Sequence, residues 1–205
     1  LQNLVNIYKH KAALKDGVEP FACLLTIQLL YLFEQMHACH IIHGDVKPDN
    51  FLVAALPDAP QELFNYERPL VKIIDFGQSI DMTMFSPGTT FTAKVETSGF
   101  QCIEMKTNRP WTYQTDLFGL AGTIHVVLFG SYMNVFQEHG VWRTTGNFVR
   151  KWNTPLWKHL FNSLLNVPSC WELPNLAELR KEFENHFRQN LTAGYSSWIR
   201  RLHLE

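Results

Sequence analysis

His43-Gly44-Asp45-Val46-Lys47-Pro48-Asp49-Asn50, followed downstream by Asp75-Phe76-Gly77, is the stretch that decides how this sequence folds and what it does. Transfer of a phosphoryl group needs a carboxylate to take a proton, a cation beside the transferred oxygens, and oxygen ligands for magnesium. The two motifs supply these groups as Asp45, Lys47, Asn50 and Asp75. The octapeptide loop (residues 43–50) therefore predicts a phosphoryl-transfer site.

Each of the four side chains also has a simpler interpretation. Asp45 is expected to accept a hydrogen bond from a substrate hydroxyl, but an isolated aspartate could simply cap the loop. Lys47 is expected to neutralise charge on the transferred group, although a lone loop lysine is usually solvated. Asn50 and Asp75 suit magnesium, whereas single residues of these types often occupy turns. Their occurrence together favours the functional interpretation.

The residues around the octapeptide loop predict a helix before it and a hairpin after it. Residues 21–39 carry apolar side chains at helical spacing, and Pro20 suits a first helical turn. Phe51-Leu52-Val53 and Val71-Lys72-Ile73-Ile74 read as strands, joined by a long connection over residues 54–69. We expect the hairpin to bring Asp75 to the loop.

The rest of the chain predicts a mainly α (α+β) fold in a single domain, residues 1–205. The connecting segment (residues 75–104) is irregular and contains eight Ser and Thr residues. Thr154-Pro155 is expected to cap and begin one helix. A last long helix is expected to bury one face. The residues that form this face are Leu176, Leu179, Phe183, Phe187 and Leu191.

Composition excludes several classes of partner. The net charge is −1 and no run of Lys or Arg exceeds two, so we expect neither nucleic acid nor an anionic membrane as partner. Residues 117–136 are uncharged over a length that could span a bilayer. His125 and Asn134 interrupt this stretch, and we expect a helix buried in protein instead. Four dispersed cysteines favour a reducing compartment over a disulfide framework.

A zinc site is the alternative suggested by the residues just before and within the octapeptide loop. His37, Cys39, His40 and His43 lie within seven residues, but no second half-site of similar spacing follows. We expect His43 to be a buried residue that braces the loop through hydrogen bonds. His37 and His40 are expected to be residues of the helix end.

The two motifs resemble those of eukaryotic protein kinases, with the octapeptide as catalytic loop and Asp75-Phe76-Gly77 as magnesium-binding tripeptide. Lys47-Pro48 resembles the serine/threonine branch. The resemblance implies a carboxy-terminal kinase lobe, a helical bundle with a small β-hairpin at the catalytic loop, that uses ATP and Mg²⁺.

The same resemblance implies roles for further residues. Asn50, Leu52 and Asp75 would bind the nucleotide and metal, and Asp116 would brace the catalytic loop backbone. Glu104 would close the activation segment and meet an arginine, for which Arg180 is the candidate. Phe76 and Gly77 would give structural support to the site, as we expect of His43. Our own hypothesis is that Thr97 or Ser98 lies near the substrate, in a substrate segment.

Several other stretches are similar to the Bub family of mitotic checkpoint kinases. They are Gly77-Gln78-Ser79-Ile80-Asp81-Met82, Phe91-Thr92-Ala93-Lys94 and Glu96-Thr97-Ser98-Gly99-Phe100-Gln101-Cys102. Within that family, two later stretches look closest to the Bub-related member, Tyr113-Gln114-Thr115-Asp116-Leu117-Phe118-Gly119 and the one ending Asn134-Val135-Phe136. The resemblance implies a spindle-checkpoint kinase at kinetochores, in nucleus or chromosome and cytoplasm. It also implies protein substrates, a β-propeller adaptor, a kinetochore scaffold and the anaphase-promoting complex as partners.

The chain departs from the general kinase pattern in two ways. Gly44 stands where most kinases have an arginine that clamps an activation-segment phosphate, so we expect the connecting segment to be held by its own packing. No Gly-rich loop or strand lysine is found, and residues 1–14 read as the first helix of the carboxy-terminal lobe. We therefore expect the amino-terminal lobe to be absent and the 205 residues alone to be inactive.

Two rival functions remain open. Small-molecule phosphotransferases of the aminoglycoside and choline kinase type share a His-Gly-Asp loop, but Lys47-Pro48 and the long connecting segment favour a protein substrate. A pseudokinase scaffold would use the kinase shape only for binding. The presence of Asp45, Lys47, Asn50 and Asp75 together weakens that alternative.

Overall fold

Helix α1, Val18–Ala38, forms the centre of the core in a computed structural model that describes residues 18–54, 63–64, 66–67 and 69–194. Every residue from Glu19 to Leu30 in this helix is buried, so protein surrounds its first three turns on all sides. The helix predicted for residues 21–39 is confirmed. It ends where His40 adopts a left-handed conformation, with φ of 61°, and the chain turns into the octapeptide loop.

Short strands and further helices follow α1. They are β1 (Ile41–Ile42), β2 (Phe51–Val53), β3 (Val71–Ile73), β4 (Ile80–Asp81), α2 (Ile103–Lys106), α3 (Gln114–Phe129), β5 (Val135–Glu138), β6 (Val141–Thr144), α4 (Thr154–Leu165) and α5 (Leu176–His186). The described strands form antiparallel pairs, β1 with β4, β2 with β3 and β5 with β6. The predicted β2–β3 hairpin is therefore present, with Phe51 opposite Ile73.

Helix packing places the core around α1. Helices α3 and α5 pack on α1, and α4 packs on α3. The predicted apolar face of the last helix is buried at Leu176, Leu179 and Phe183, and it continues through Phe187 in a wide helical turn, Phe187–Leu191. The result is the mainly helical fold expected from the sequence. The helix expected at residues 1–14 and most of the β2–β3 connection lie outside the described residues.

The uncharged stretch at residues 117–136 is divided between two elements. Helix α3 ends at Phe129, where Gly130 takes a left-handed φ of 70° and donates to the carbonyl of Val126, and β5 starts at Val135. Twelve of the sixteen residues of α3 are buried in the protein interior. In the part of the chain that the structure describes, no helix is both long and apolar enough to cross a membrane.

Glu19 ties the start of α1 to the start of α4. Its Oε1 accepts hydrogen bonds from the backbone N–H of Asn153, at 2.7 Å, and from Trp157 Nε1, at 3.1 Å. Asn153 in turn caps α4, because its side chain accepts from the N–H of Leu156. The cap predicted at Thr154 is thus wrong by one residue, since the Asn153 side chain provides the acceptor.

The pKa of Glu19 is lowered from its ordinary value near 4.5. Burial acts to raise it, but the His186 ring, whose Nε2 lies 3.8 Å from Oε1, and the hydrogen bonds from Asn153 and Trp157 together outweigh burial. A carboxyl whose pKa falls on folding stabilises the fold above its unfolded pKa, and this contribution is lost as the pH falls through the folded pKa.

Replacing Glu19 by glutamine should therefore cost about 1–3 kcal/mol of unfolding free energy at pH 7, because the charge-assisted hydrogen bonds are weakened. Below pH 4 the difference in unfolding free energy between the variant and the unmodified chain should shrink. Urea unfolding at pH 7 and below pH 4 measures both differences. Glu182→Gln, at a half-exposed position beside His159, is the control and should change little. A constant Glu19→Gln deficit across the pH range would contradict the assignment.

Candidate active site

Asp116, in the first turn of α3, holds the backbone of the octapeptide loop. Its side chain is fully buried. Oδ2 accepts from the backbone N–H of His43 at 2.8 Å, and Oδ1 accepts from that of Gly44 at 2.9 Å. The ring of His37 lies on the other side, with Nε2 at 3.0 Å from Oδ2. Hydrogen bonds to a buried carboxylate are strong and directional, so these two amides are held in place.

His43 links the loop to the strand end that precedes Asp75. Its buried ring accepts from the N–H of Asp45 at Nδ1, over 3.3 Å, and Nε2 lies 3.1 Å from the carbonyl oxygen of Ile74. This pair of contacts requires the tautomer with its hydrogen on Nε2. The ring also makes an edge contact with Phe76, with centroids 5.1 Å apart. His43 thus occupies the bracing position expected from the sequence.

Asp45, Lys47 and Asn50 form one polar cluster. Lys47 Nζ donates to Asp45 Oδ2 at 2.7 Å, and Asn50 Nδ2 donates to the same oxygen at 3.0 Å and to the Asp45 carbonyl at 2.8 Å. Pro48 begins the short helix Pro48–Asn50, which turns Asn50 back toward Asp45. The Asp45 and Lys47 side chains remain 28% and 31% exposed, so both can reach a substrate.

Asp75 is delivered to this cluster by the β2–β3 hairpin. The N–H of Ile74 donates to the Asn50 carbonyl at 2.9 Å, which places the next residue beside Asn50. Asp75 is exposed and adopts a left-handed φ of 66°, which is uncommon for a residue other than glycine. Its Oδ1 accepts from the N–H of Gly77 over 3.4 Å. The structure therefore brings Asp75 to the octapeptide loop, as the two motifs predicted.

The oxygen ligands in this cluster suit magnesium better than a metal ion that is coordinated by protein side chains alone. Among the described residues, no group of three or more His, Cys, Asp or Glu side chains could hold a metal ion. Magnesium commonly binds through one or two protein oxygens together with phosphate oxygens and water. Asn50 offers such an oxygen, because its amide nitrogen is used by Asp45. Asp75 offers its exposed carboxylate, and Leu52 beside them is 54% exposed.

A glycine is required at position 44 by the backbone conformation there and by a close neighbour. Its φ of 81° lies in the left-handed region, and a Cβ at this position would lie 2.5 Å from the carbonyl oxygen of Gln78. An arginine could not occupy this position without moving the backbone. The absence of the usual arginine thus coincides with direct packing of the connecting segment on the octapeptide loop.

Further contacts hold the connecting segment near the loop. Ser79 Oγ donates to the His43 carbonyl at 3.1 Å, and the N–H of Met82 donates to the His40 carbonyl at 2.9 Å. Strand β4 pairs with β1, with Ile80 opposite Ile42. These contacts support the expectation that this segment is held by its own packing.

The far part of the connecting segment is held by Trp111. Its backbone pairs with Phe91 through hydrogen bonds in both directions, and its Nε1 donates to the Ala93 carbonyl at 2.8 Å. Thr97, predicted to lie near a substrate, is exposed, and Ser98 begins the short helix Ser98–Phe100. Thr97 therefore lies on the surface rather than in the core.

The prediction that Arg180 pairs with Glu104 is wrong. Glu104 is buried, and Arg109, which lies five residues further along the chain, contacts its Oε1 at 3.3 Å. Burial raises the pKa of Glu104, and the charge of Arg109 offsets only part of that effect.

Arg180 has other partners. Its Nε donates to Glu34 at 3.0 Å, its guanidinium also pairs with Glu184, and it lies near the rings of Tyr31 and Tyr66. The prediction placed the partner too far along the chain, because a turn after α2 brings the nearby Arg109 back to Glu104.

His37 is the site residue that the sequence interpretation missed. It was expected to be an ordinary residue of the helix end, but it contacts Asp116. A signal was present, since His37 falls on the same helical face as the buried residues Leu30 and Phe33. A polar side chain on a buried stripe needs a hydrogen-bond partner.

Gly44→Ala should destabilise the chain by about 1–3 kcal/mol, because it adds a steric clash with Gln78 to the cost of a left-handed alanine. Gly88→Ala is a matched control, since Gly88 has a similar φ of 88° and a Cβ added there would have no neighbour within 4 Å. Urea unfolding gives both free energies. Equal losses in the two variants would show that contact with Gln78 is unimportant.

Comparison with known proteins gives consistent matches. Residues 3–166 match the protein kinase domain family. The chain is 46% identical to mitotic checkpoint serine/threonine-protein kinase BUB1 of Mus musculus, over 98% of this chain and 18% of that protein. It is 33% identical to spindle assembly checkpoint serine/threonine-protein kinase BUB1 of Saccharomyces cerevisiae, over 90% of this chain and 20% of that protein.

A solved structure agrees with these relatives. The crystal structure of the BubR1 kinase domain superposes with a TM-score of 0.80 at 38% identity, covering 88% of this chain and 54% of that one. The chain spans only about a fifth of the mouse and yeast relatives. The resemblance to Bub kinases is confirmed. Within that group, identity to mouse BUB1 is 46%, compared with 28% to BUB1 beta of Homo sapiens.

Proposed function

Because the chain belongs to the protein kinase family, we propose that it carries the phosphoryl-transfer half-site of a serine/threonine kinase of the mitotic spindle checkpoint. The substrate would be a serine or threonine hydroxyl of a protein, and the donor would be ATP. The names of the mouse and yeast relatives support both the residue specificity and the checkpoint assignment. The octapeptide loop supplies the chemistry.

The observation that carries this proposal is the hydrogen bonding of Asp45. Lys47 and Asn50 both donate to Oδ2, while Oδ1 accepts no hydrogen bond from the described residues. The carboxylate is therefore held in a fixed orientation with one oxygen available to a substrate hydroxyl. This is the arrangement that a general base needs, because the acceptor must lie within hydrogen-bond reach of the proton it receives.

The reaction requires one bond to form and one to break. The substrate hydroxyl oxygen forms a bond to the γ-phosphorus of ATP, and the bond from that phosphorus to the bridging oxygen of ADP breaks, with the electron pair leaving on ADP. The hydroxyl proton passes to Asp45. Lys47, held beside Asp45, stabilises the negative charge on the transferred phosphoryl oxygens.

Protein kinases as a family use ATP and a divalent metal ion. We assign magnesium binding here to Asn50 Oδ1 and the Asp75 carboxylate, and bound magnesium would neutralise charge on the ATP phosphates. Leu52, which is largely exposed next to them, would provide an apolar contact for the nucleotide. Phe76 and Gly77 support the Asp75 turn through the His43 ring contact and the Gly77 N–H.

Substrate binding is assigned to the connecting segment, with Thr97 or Ser98 near the bound protein. Packing on Gly44, rather than a phosphate clamped by arginine, would keep this segment in position. In the complete protein, the resemblance supports a β-propeller adaptor, a kinetochore scaffold and the anaphase-promoting complex as partners. It likewise supports action at kinetochores, in nucleus or chromosome and cytoplasm.

Turnover by the complete protein tests the proposal. Asp45→Asn should lower kcat for a protein substrate by about 10²–10⁴-fold, because it removes the general base, and Asp75→Ala should also abolish most turnover. Asp49→Asn is the matched control, since Asp49 is an exposed carboxylate of the same loop and should leave kcat unchanged. Phosphate transfer from radiolabelled ATP with magnesium measures all of these.

Two outcomes would overturn the proposal. Equal phosphorylation by the unmodified protein, Asp45→Asn and Asp75→Ala would mean that the site is not catalytic and would favour the scaffold function. Efficient transfer to small alcohols, with none to proteins or peptides, would identify a small-molecule phosphotransferase.

A further inference from the structure

We propose that the cavity between strand β6 and helix α4 binds an extended, acidic segment of a protein partner, with one apolar side chain of that segment seated in the cavity. The cavity has a volume of about 500 Å³, which is within the range of ligand-binding pockets. None of its lining residues belongs to the octapeptide loop, the connecting segment or the groups assigned to catalysis. The proposed binding and phosphoryl transfer therefore use separate residues.

The outer edge of β6 forms one wall of the cavity, where β6 packs on α4. The N–H of Trp142 donates to Asn166 Oδ1 at 2.7 Å, and Asn166 Nδ2 donates to the Trp142 carbonyl at 3.0 Å. Asn166, at the end of α4, thus takes the place that a neighbouring strand would occupy. Backbone groups that point to one edge recur at every second residue of a strand, so the N–H and C=O of Thr144 point to this edge as well.

Thr144 is the residue of β6 at which an added strand would pair. It lines the cavity, two residues beyond the position that Asn166 occupies. Its hydroxyl oxygen is buried and has no hydrogen-bond partner among the described residues. An extended peptide in the cavity would pair with the Thr144 backbone and bring polar groups close to this hydroxyl.

Aromatic rings form the apolar part of the cavity wall. Phe148 and Phe161 both line the cavity, with ring centroids 6.5 Å apart. Phe129 of α3 contacts both rings, at centroid distances of 5.2 and 6.3 Å. A Cβ added at Gly146 would overlap the Phe129 ring, so the backbone after β6 is packed directly on this cluster. The aromatic wall is therefore preformed, which reduces the cost of seating an apolar side chain.

The charge around the cavity favours an acidic occupant. Residues 139–171 contain four of the 18 Lys and Arg residues of the chain and none of its 19 Asp and Glu residues. Two of these cations, Arg143 and Lys158, line the cavity. Arg143 uses Nε to bind Glu138 at 2.9 Å, and its side chain is 50% exposed. Lys158 is exposed and makes no ion pair or hydrogen bond with the described residues, so it is available to a carboxylate of a partner.

Together these features identify a peptide as the occupant. The edge of β6 pairs with a peptide backbone, the aromatic wall accepts one large apolar side chain, and the two cations attract flanking Asp or Glu residues. A nucleic acid would satisfy the cations, but its backbone has no alternating N–H and C=O groups to continue the ladder at Thr144. We therefore infer a segment with an aromatic or large aliphatic residue between acidic residues.

Binding of acidic polypeptides to the complete protein tests this inference. The probe is a fluorescently labelled random copolymer of glutamate and tyrosine, which presents aromatic side chains between carboxylates in many registers. Its Kd, measured by fluorescence anisotropy, should be at least about tenfold lower than that of polyglutamate, which lacks the apolar anchor. A copolymer of lysine and tyrosine should bind at least about tenfold more weakly than the glutamate copolymer, because its charge matches that of the cavity.

Variants at Lys158 locate the binding. Lys158→Glu should raise the Kd of the glutamate–tyrosine copolymer at least about tenfold, whereas Lys158→Arg should keep it within about twofold. Lys181→Glu is the matched control, since Lys181 is an exposed lysine of α5 outside the cavity and the change in charge is the same. Thermal unfolding establishes that each variant is folded.

Hydrogen exchange tests strand pairing separately from charge. Bound copolymer should slow exchange of the Thr144 amide at least about threefold and leave the amide of Trp142 unchanged, because Asn166 already accepts from the latter.

Four results would overturn the inference. The first is failure of the glutamate–tyrosine copolymer to bind. The second is equal weakening by Lys158→Glu and Lys181→Glu, which would indicate general charge attraction. The third is equal affinity for polyglutamate, which would show that the aromatic wall is not used. The fourth is displacement of the copolymer by a DNA oligonucleotide that binds more tightly and loses affinity in Lys158→Glu, since the cavity would then be a nucleic-acid site.

Discussion

The buried carboxylate of Asp116 is the interaction on which the rest of the site depends. A charge in the protein interior is tolerated only when donors surround it, and here the donors are two backbone amides of the octapeptide loop and one histidine ring. Because these donors come from α1 and the loop while the acceptor comes from α3, one side chain joins three parts of the chain. The position of Asp45 follows from this junction.

Packing of the connecting segment on Gly44 is a second constraint on the position of the octapeptide loop. Gly44 donates its N–H to Asp116, and its missing side chain leaves room for the Gln78 carbonyl. A single residue therefore joins the loop to the buried carboxylate on one side and to the connecting segment on the other. An arginine here would add a cation for a phosphate but would prevent this approach. The chain uses contact between backbones where other kinases use charge.

Much of this arrangement could be predicted from the sequence, because local patterns determine it. The helix before the loop, the hairpin after it and the convergence of Asp45, Lys47, Asn50 and Asp75 follow from periodicity and from two short motifs. The Glu104 partner could not be predicted in this way, since the turn after α2 that returns Arg109 to Glu104 leaves no periodic signal. His37 was missed because its partner lies 79 residues away, on another helix.

Residue-resolved hydrogen exchange of the His43 and Gly44 amides in an Asp116→Asn variant tests the role of the buried carboxylate most directly. Asparagine replaces one carboxylate oxygen by an amide group that cannot accept, so at least one of the two amides loses its acceptor. Exchange at one or both amides should then rise at least about tenfold, while amides in α4 keep their protection. Unchanged protection of both His43 and Gly44 would contradict the view that Asp116 holds the loop.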